Sequence, residues 1–389
     1  MALILGIESS CDETSAAVVR DGEQLLSNVV LSQFMTHRAY GGVVPELASR
    51  EHLRAIVPVV REALKQAGLA MPQIDALAVT KGPGLAGALL VGMSYGKAVA
   101  FALEKPLIAI NHLEGHIHAV LLQARQEEKQ ELEFPVLALV VSGGHTHLYL
   151  AERSIPGNAW RYRNIGHTRD DAAGEAFDKV AKLLALGYPG GPAIDWLAKH
   201  GDPMAVKFPP AQIKHRDRAD RAREKAGGAK PPADSGPQFD FSFSGIKTAV
   251  LRYVETQGMA SAIAQRRAAL SAIAKPRMED YLAHCDRQVL DLVASFQRAV
   301  VEDVVGKTLA AAREYEVATL LVSGGVAANS ELRQSFERRG AAEGLAVLFP
   351  SRPLSTDNAA MIAAAAYPKW LARDFAGPEL TAEASLPLG

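Results

Sequence analysis

Two histidines four residues apart, in His112-Leu-Glu-Gly-His116, carry the sharpest chemical signal in the chain. On a helix this spacing puts both rings on one face, with Cβ atoms roughly 5–6 Å apart. It suits two imidazoles on one metal ion, and equally a pair of helix-cap or core histidines. Zinc peptidases place a glutamate directly after the first histidine. Glu114 stands two positions on, turned about 200° around the helix, so a metalloprotease reading fails at this residue. A third ligand has to come from elsewhere. Asp357, in Ser355-Thr-Asp-Asn358, is the choice, because it falls between a proline-containing loop and a helix start. Its bland alternative is an ordinary N-cap.

Glycine turns form the second signal. Gly143-Gly144 and Gly324-Gly325 each follow an apolar strand, where glycines let the backbone approach a ligand and main-chain N–H groups cradle phosphate. With the polar turn Ser9 to Thr14 they would supply three walls of a nucleotide site. Gly82-Pro-Gly-Leu-Ala-Gly87 lacks the acid that a dinucleotide site needs after the next strand, so it reads as helix–sheet packing. Gly92-Met-Ser-Tyr-Gly-Lys97 is one residue short of a P-loop. Further on, Glu175, Asp178 and Lys179 share one helical turn, and Tyr188-Pro-Gly-Gly191 leads to Asp195. Asp178 and Asp195 could accept bonds from a ribose, or belong to a solvated helix. Phe239, Phe241 and Phe243 alternate as a strand face, while Ser242, Ser244 and Lys247 could line a cleft.

These residues need a scaffold. Apolar runs at Leu3–Glu8, Ala16–Val19, Ile74–Thr80 and Leu107–Ile110 read as strands, alternating with helices from Pro45 to Gly68 and from about Ala86 to Leu103. Strand, polar turn, strand recurs at Leu137–Val141 and His147–Leu150, and a further strand and glycine turn follow at Leu320–Val326. The expected fold is α/β, with two related lobes and a cleft between them. Residues 1–134 form the first lobe and 135–370 the second. The second carries a basic insertion at 207–239 and an extra segment at 256–288, and its last helix is able to pack back on the first lobe. A loose tail is expected over 371–389.

With 389 residues, 48% hydrophobic and 22% charged, the composition is globular and too long for one core. A net charge of -1 makes no global case for nucleic acid, but Lys207 to Lys230 holds eight Lys/Arg against three Asp/Glu. Cys11 and Cys285 alone give no disulfide framework and point to a reducing compartment. The opening residues lack a signal-peptide pattern, and Ala86–Leu103 reads as a buried helix, so no membrane association and a cytoplasmic location are expected.

Taken together, Gly6-Ile-Glu-Ser-Ser-Cys-Asp-Glu-Thr14, Gly41 to Arg50, Gly82-Pro-Gly-Leu85, His112 to His116, Val141-Ser-Gly-Gly-His-Thr146, Asp170 to Lys179, Tyr188 to Gly191, Phe241 to Gly245, Ser323 to Asn329 and Ser355 to Asn358 resemble the universal tRNA threonylcarbamoyladenosine transferase family. This family, once labelled a glycoprotease, belongs to the actin/Hsp70/sugar-kinase fold group. The matches run in order over nearly the whole chain. The resemblance implies transfer of threonylcarbamoyl from threonylcarbamoyl-AMP to N6 of adenosine 37 in tRNAs reading codons that begin with A, with release of AMP. It implies one divalent metal, iron or zinc, on His112, His116 and Asp357. It implies substrate contacts from Val140, Val141, Ser142, Gly143, Gly144, Asp178, Gly191, Asp195 and Asn329, and catalytic positions at Asp12 and Glu13, which face the phosphate and metal region. A shorter paralogous subunit of the same fold and a small P-loop ATPase subunit are the implied bacterial-type partners, beside tRNA. A chaperone-like ATPase and a sugar kinase are the other readings of such a lobe pair. The second needs a catalytic aspartate at the cleft base, and none can be placed.

The local positive excess suggests a tRNA contact at Lys214, Arg216, Arg218 and Arg221. Neutralising these four should weaken tRNA binding and flatten its salt dependence; unchanged affinity in a salt titration would refute the assignment.

Overall fold

Leu3-Ile-Leu-Gly-Ile-Glu8 forms β1, the central strand of a five-stranded sheet. The computed structural model describes residues 1–127, 132–153, 160–209, 239–273 and 275–389. β1 pairs antiparallel with β2 (Glu13–Arg20), which pairs antiparallel with β3 (Gln24–Ser32). On its other side β1 pairs parallel with β4 (Ala76–Gly82), and β4 pairs parallel with β5 (Leu107–Asn111). The second sheet repeats this plan. β6 (Val136–Val141) pairs antiparallel with β7 (Thr146–Arg153), and β7 antiparallel with β8 (Trp160–His167). β6 also pairs parallel with β9 (Thr319–Ser323), which pairs parallel with β10 (Ala346–Leu348). The orders β3-β2-β1-β4-β5 and β8-β7-β6-β9-β10 are equivalent, so the repeated strand–turn–strand pattern marks two related lobes.

Side-chain alternation in the strands sends Ile4, Ala76, Ala78, Ile108 and Ile110 to one face of the first sheet, and Leu5, Ile7, Leu77, Val79 and Leu107 to the other. The second set meets α1 (Pro45–Ala67), through Ile56, Val59, Val60 and Ala63, and Met93 of α2 (Ala86–Leu103). Gly68, at φ 67°, ends α1, as its position after the last apolar residue suggested. α2 is not fully buried as expected: Leu90 and Phe101 are 52% and 88% exposed, because α2 is apolar all round but packs on one side only. Among the described residues it alone is long and apolar enough to cross a membrane.

α3 (His112–Gln126) lies between the lobes. Ala119 and Leu122 pack with the first sheet, while Leu113, Ile117, Val120 and Leu121 pack with the second. In the second lobe, α4 (Ala173–Leu183), α5 (Gly190–Ala198), α6 (Ser244–Thr256) and the long α9 (Arg287–Glu314) cover the opposite sheet face. Between α6 and α9, α7 (Ala260–Ser271) and α8 (Met278–Ala283) occupy the extra segment. There the buried Arg266 donates to the carbonyls of Leu184 at 2.8 Å and His284 at 3.0 Å. Lys214, Arg216, Arg218 and Arg221 lie outside the described residues.

After α10 (Ser330–Ala342), the last helix, α11 (Ala359–Ala372), returns to the first sheet. Ala359, Ala360, Ala363, Ala364 and Ala366 are buried against it, and the approach is so close that a Cβ on Gly6 would meet the Ala359 carbonyl oxygen at 2.4 Å. The segment beyond α11 is not loose. Ala376 N donates to Leu107 O at 2.8 Å and Glu383 N to Lys81 O at 2.9 Å. β5 is a sheet edge whose unpaired main chain takes a covering segment, and this order follows from that.

Gly6→Ala should cost about 1–3 kcal/mol by overpacking, whereas Gly306→Ala, in mid-helix with open space around it, should add about 0.5–1 kcal/mol. Urea denaturation of both variants checks the sign and the size.

Candidate metal centre

α3 begins at His112 because Asn111 caps it, Asn111 Oδ1 accepting from Leu113 N at 2.9 Å. The i, i+4 spacing then brings the two imidazoles to 4.7 Å between centroids. Asp357 sits in the turn ahead of α11. The cap of that helix is Asn358, whose Oδ1 accepts from Met361 N at 3.1 Å, so the Asp357 carboxylate does not serve as the N-cap. Its Oδ1 lies 3.2 Å from His116 Nε2 and 3.6 Å from His112 Nε2, and the three ligand atoms are all within 4.8 Å of one another. His116 is fully buried, yet neither ring nitrogen has a hydrogen-bond partner among the described residues. A buried imidazole in that condition is costly. Its Nε2 approaches Asp357 without hydrogen-bond alignment, as expected where ligand atoms converge on a shared point. Two imidazole nitrogens and a carboxylate oxygen form a donor set that fits zinc or ferrous iron.

Behind His112 stands a buried acid that the sequence reading passed over as a strand end. His112 Nδ1 lies 3.1 Å from Glu8 Oε2 and 3.2 Å from Ser10 Oγ. Thr80 Oγ1 donates to the same Glu8 oxygen at 2.7 Å, and Ser10 N donates to the other. A carboxylate backing a ligand histidine fixes its ring orientation. Burial opposes charge on His112, but Asp357 and Glu8 outweigh it and push the imidazole up to about 9. Burial likewise opposes charge on Asp357, and His112 and His116 hold it low nonetheless. Glu114 points elsewhere, 3.9 Å from Lys369 Nζ, with burial raising its carboxyl.

The turn after β6 is closed by Ser142 N donating to His145 O at 2.8 Å and His145 N donating to Ser142 Oγ at 3.2 Å. Gly143 and Gly144 are exposed, with no atom near their Cβ positions. Val140 and Val141 have buried side chains and sit in the ladder with His147 and Thr146. Gly324, at φ 93°, lets its turn press onto β6, since a Cβ there would meet Val141 O at 2.4 Å. Asp178 Oδ1 accepts from Gly190 N at 2.6 Å. Burial, with Asp12 adding to it, raises this carboxyl to about 6 against the Gly190 and Gly191 amides. Burial, followed by Asp12 and Asp357, raises the Glu13 carboxyl. Gly191 opens α5.

Two of the expected site residues have internal partners. Asp195 Oδ1 accepts from Ser330 N and Oγ at 3.1 and 2.7 Å. Asn329 caps α10 and donates to Gln297 Oε1 at 2.8 Å. Ser242 and Ser244 both donate to Asp170 at 2.6 Å, so their hydroxyls hold the start of α6. His145, not singled out from the sequence, lies 6.1 Å from His112 between ring centroids. Burial, then neighbouring histidines, lowers it to about 3.

A family model described as tRNA N6-adenosine threonylcarbamoyltransferase matches residues 24–364. A Koribacter versatilis protein of that description is 68% identical over 387 residues, covering 100% of this chain and 99% of the relative. One from Syntrophotalea carbinolica is 50% identical over 363 residues, 93% and 90% of the two chains. The crystal structure of T. kodakarensis HypF, 13% identical with a TM-score of 0.53, covers 97% of this chain and 48% of that one. That likeness is one of fold alone.

The triad should take up one Zn2+ per chain in equilibrium dialysis, and His116→Ala or Asp357→Ala should remove that binding. Stoichiometric uptake by the double variant would show that the metal sits elsewhere.

Proposed function

Since the chain belongs to the tRNA N6-adenosine threonylcarbamoyltransferase family, we propose that the cleft between its two actin/Hsp70-like lobes is where the threonylcarbamoyl group passes to adenosine 37 of tRNA. The protein is a transferase acting on tRNA. Threonylcarbamoyl-AMP is the donor: the N6 amine forms a bond to the carbamoyl carbon, the bond from that carbon to the phosphate oxygen breaks, AMP leaves with the electron pair, and N6 gives up a proton.

His112, His116 and Asp357 would hold one divalent cation, iron or zinc. When bound, it supplies a Lewis acid beside the carbamoyl group. The observation that carries this reading is the fully buried His116, whose ring nitrogens have no hydrogen-bond partner among the described residues and whose Nε2 lies 3.2 Å from Asp357. Gly143 and Gly144 offer exposed main chain to the adenylate, with Val140, Val141 and the buried Ser142 holding that turn in register. Asp178 takes a ribose hydroxyl beside Gly191. Asp195 contributes by tying α5 to Ser330 at the end of the Gly324 turn, and Asn329 ties the same turn to α9 through Gln297. Asp12 and Glu13 form the acidic, catalytic end of the cleft. No covalent enzyme intermediate is required, because holding the amine and the carbamoyl carbon in line supplies most of what the step needs. A shorter subunit of the same fold and a small P-loop ATPase are proposed as partners, with a cytoplasmic location, on the family resemblance.

The decisive assay is nucleoside mass spectrometry on unmodified tRNA incubated with threonylcarbamoyl-AMP and the partner proteins. Wild type should yield threonylcarbamoyladenosine and His112→Ala/His116→Ala should not; product from both would remove the metal from the mechanism. If ionised Asp178 accepts the ribose bond, adenosine affinity should rise as pH climbs through about 6, and Asp178→Asn should flatten that rise. Calorimetric titration with adenosine checks this.

A further inference from the structure

Residues 376–388 touch the metal-ligating end of α3 from behind at several points. The segment first crosses β5, with Ala376 N on Leu107 O. Lys97 Nζ then donates to the Pro378 and Leu380 carbonyls at 2.6 and 3.0 Å. Lys81 pairs with Glu383 at 2.6 Å. Gly84 N donates to Ala384 O at 3.1 Å. Asn111 Nδ2 donates to Pro387 O at 3.0 Å, and Leu388, 8% exposed, joins the interlobe cluster that contains Leu113.

One of these contacts ends directly beside His112, one joins the cluster of the next residue, and one reaches a His112 partner through an intervening turn. Asn111 uses one side-chain atom on Pro387 and the other to cap α3 at Leu113 N. Leu388 packs in the cluster of Leu113 itself. The Gly84 turn passes the contact on, since Leu85 N donates to Ser10 O at 2.7 Å, and Ser10 Oγ lies 3.2 Å from His112 Nδ1. Asn111 is both the last residue of β5 and the N-cap of α3, so the segment that covers the β5 edge also holds the helix start, and Leu388 goes beyond that edge into the interlobe cluster. We infer that residues 376–388 form a positioning strap, which sets the first turn of α3, and with it His112, through Asn111 and Leu113. The inference rests on the metal reading of the triad.

Full-length Leu388→Asp and Asn111→Asp test it, the latter keeping the capping oxygen but losing the donor to Pro387. Metal-free protein is titrated with Co2+ and followed by visible absorption, and amide exchange is measured over residues 112–120. Val305→Ala, a cavity in the second lobe, serves as a variant that loses stability alone. The strap predicts about 10- to 100-fold weaker Co2+ binding in both variants, with faster exchange at the start of α3. The double variant should be no worse than the poorer single, because both act through one path. Val305→Ala should retain wild-type Co2+ affinity. Wild-type Co2+ affinity and exchange in folded Leu388→Asp and Asn111→Asp would overturn the inference. If wild type itself binds no Co2+, the metal reading falls, and exchange alone decides: faster in both variants supports the strap, unchanged refutes it.

Discussion

A helix packed on both sides by sheet has no solvent to satisfy its polar side chains. α3 is in that position, with His112, Leu113 and every residue from Gly115 to Leu122 buried. Its histidines therefore dictate what surrounds them. Glu8 must sit at the end of β1 behind His112, and Asp357 must arrive in front. Asp357 arrives only because α11 docks on the first sheet, and α11 docks closely only because position 6 has no side chain. A chain of packing requirements thus places one carboxylate from near the C-terminal end within 3.6 Å of two imidazoles about 240 residues earlier.

Charge explains why the arrangement suits a cation. Glu8 and Asp357 are both held ionised despite burial, the coupling to His112 outweighing desolvation. In the second lobe the turn after β6 presents Gly143 and Gly144 to solvent. One wall is thus acidic and metal-ready while the other is built of exposed backbone, a division that suits a substrate with a reactive carbonyl at one end and a nucleoside at the other.

Much of this was legible in the sequence. The histidine spacing, the strand–turn–strand repeat, the capping and stop signals of α1 and the aspartate in Ser355-Thr-Asp-Asn358 rest on local rules of helix and strand geometry, and those rules hold where packing agrees with them. What escaped depended on distant pairing. Glu8 read as a strand terminus because nothing local shows that His112 lies beside it. The tail read as loose because its polar, proline-containing composition does not reveal the sheet edge it covers. The partners of Asp195 and Asn329, which are Ser330, Leu332 and Gln297, include distant ones that no local pattern shows. Ser242 and Ser244 were similarly committed by Asp170, about 70 residues upstream. α2 read as buried because hydropathy gives the composition of a helix and not the number of its packed sides.

X-ray absorption spectroscopy on the metal-loaded protein tests the central claim most directly. The account predicts one metal with nitrogen and oxygen neighbours only, the outer-ring scattering of two imidazoles, and a loss of one imidazole in His116→Ala. Sulfur at bonding distance, which would implicate Cys11, or an all-oxygen environment without imidazole scattering, would contradict it.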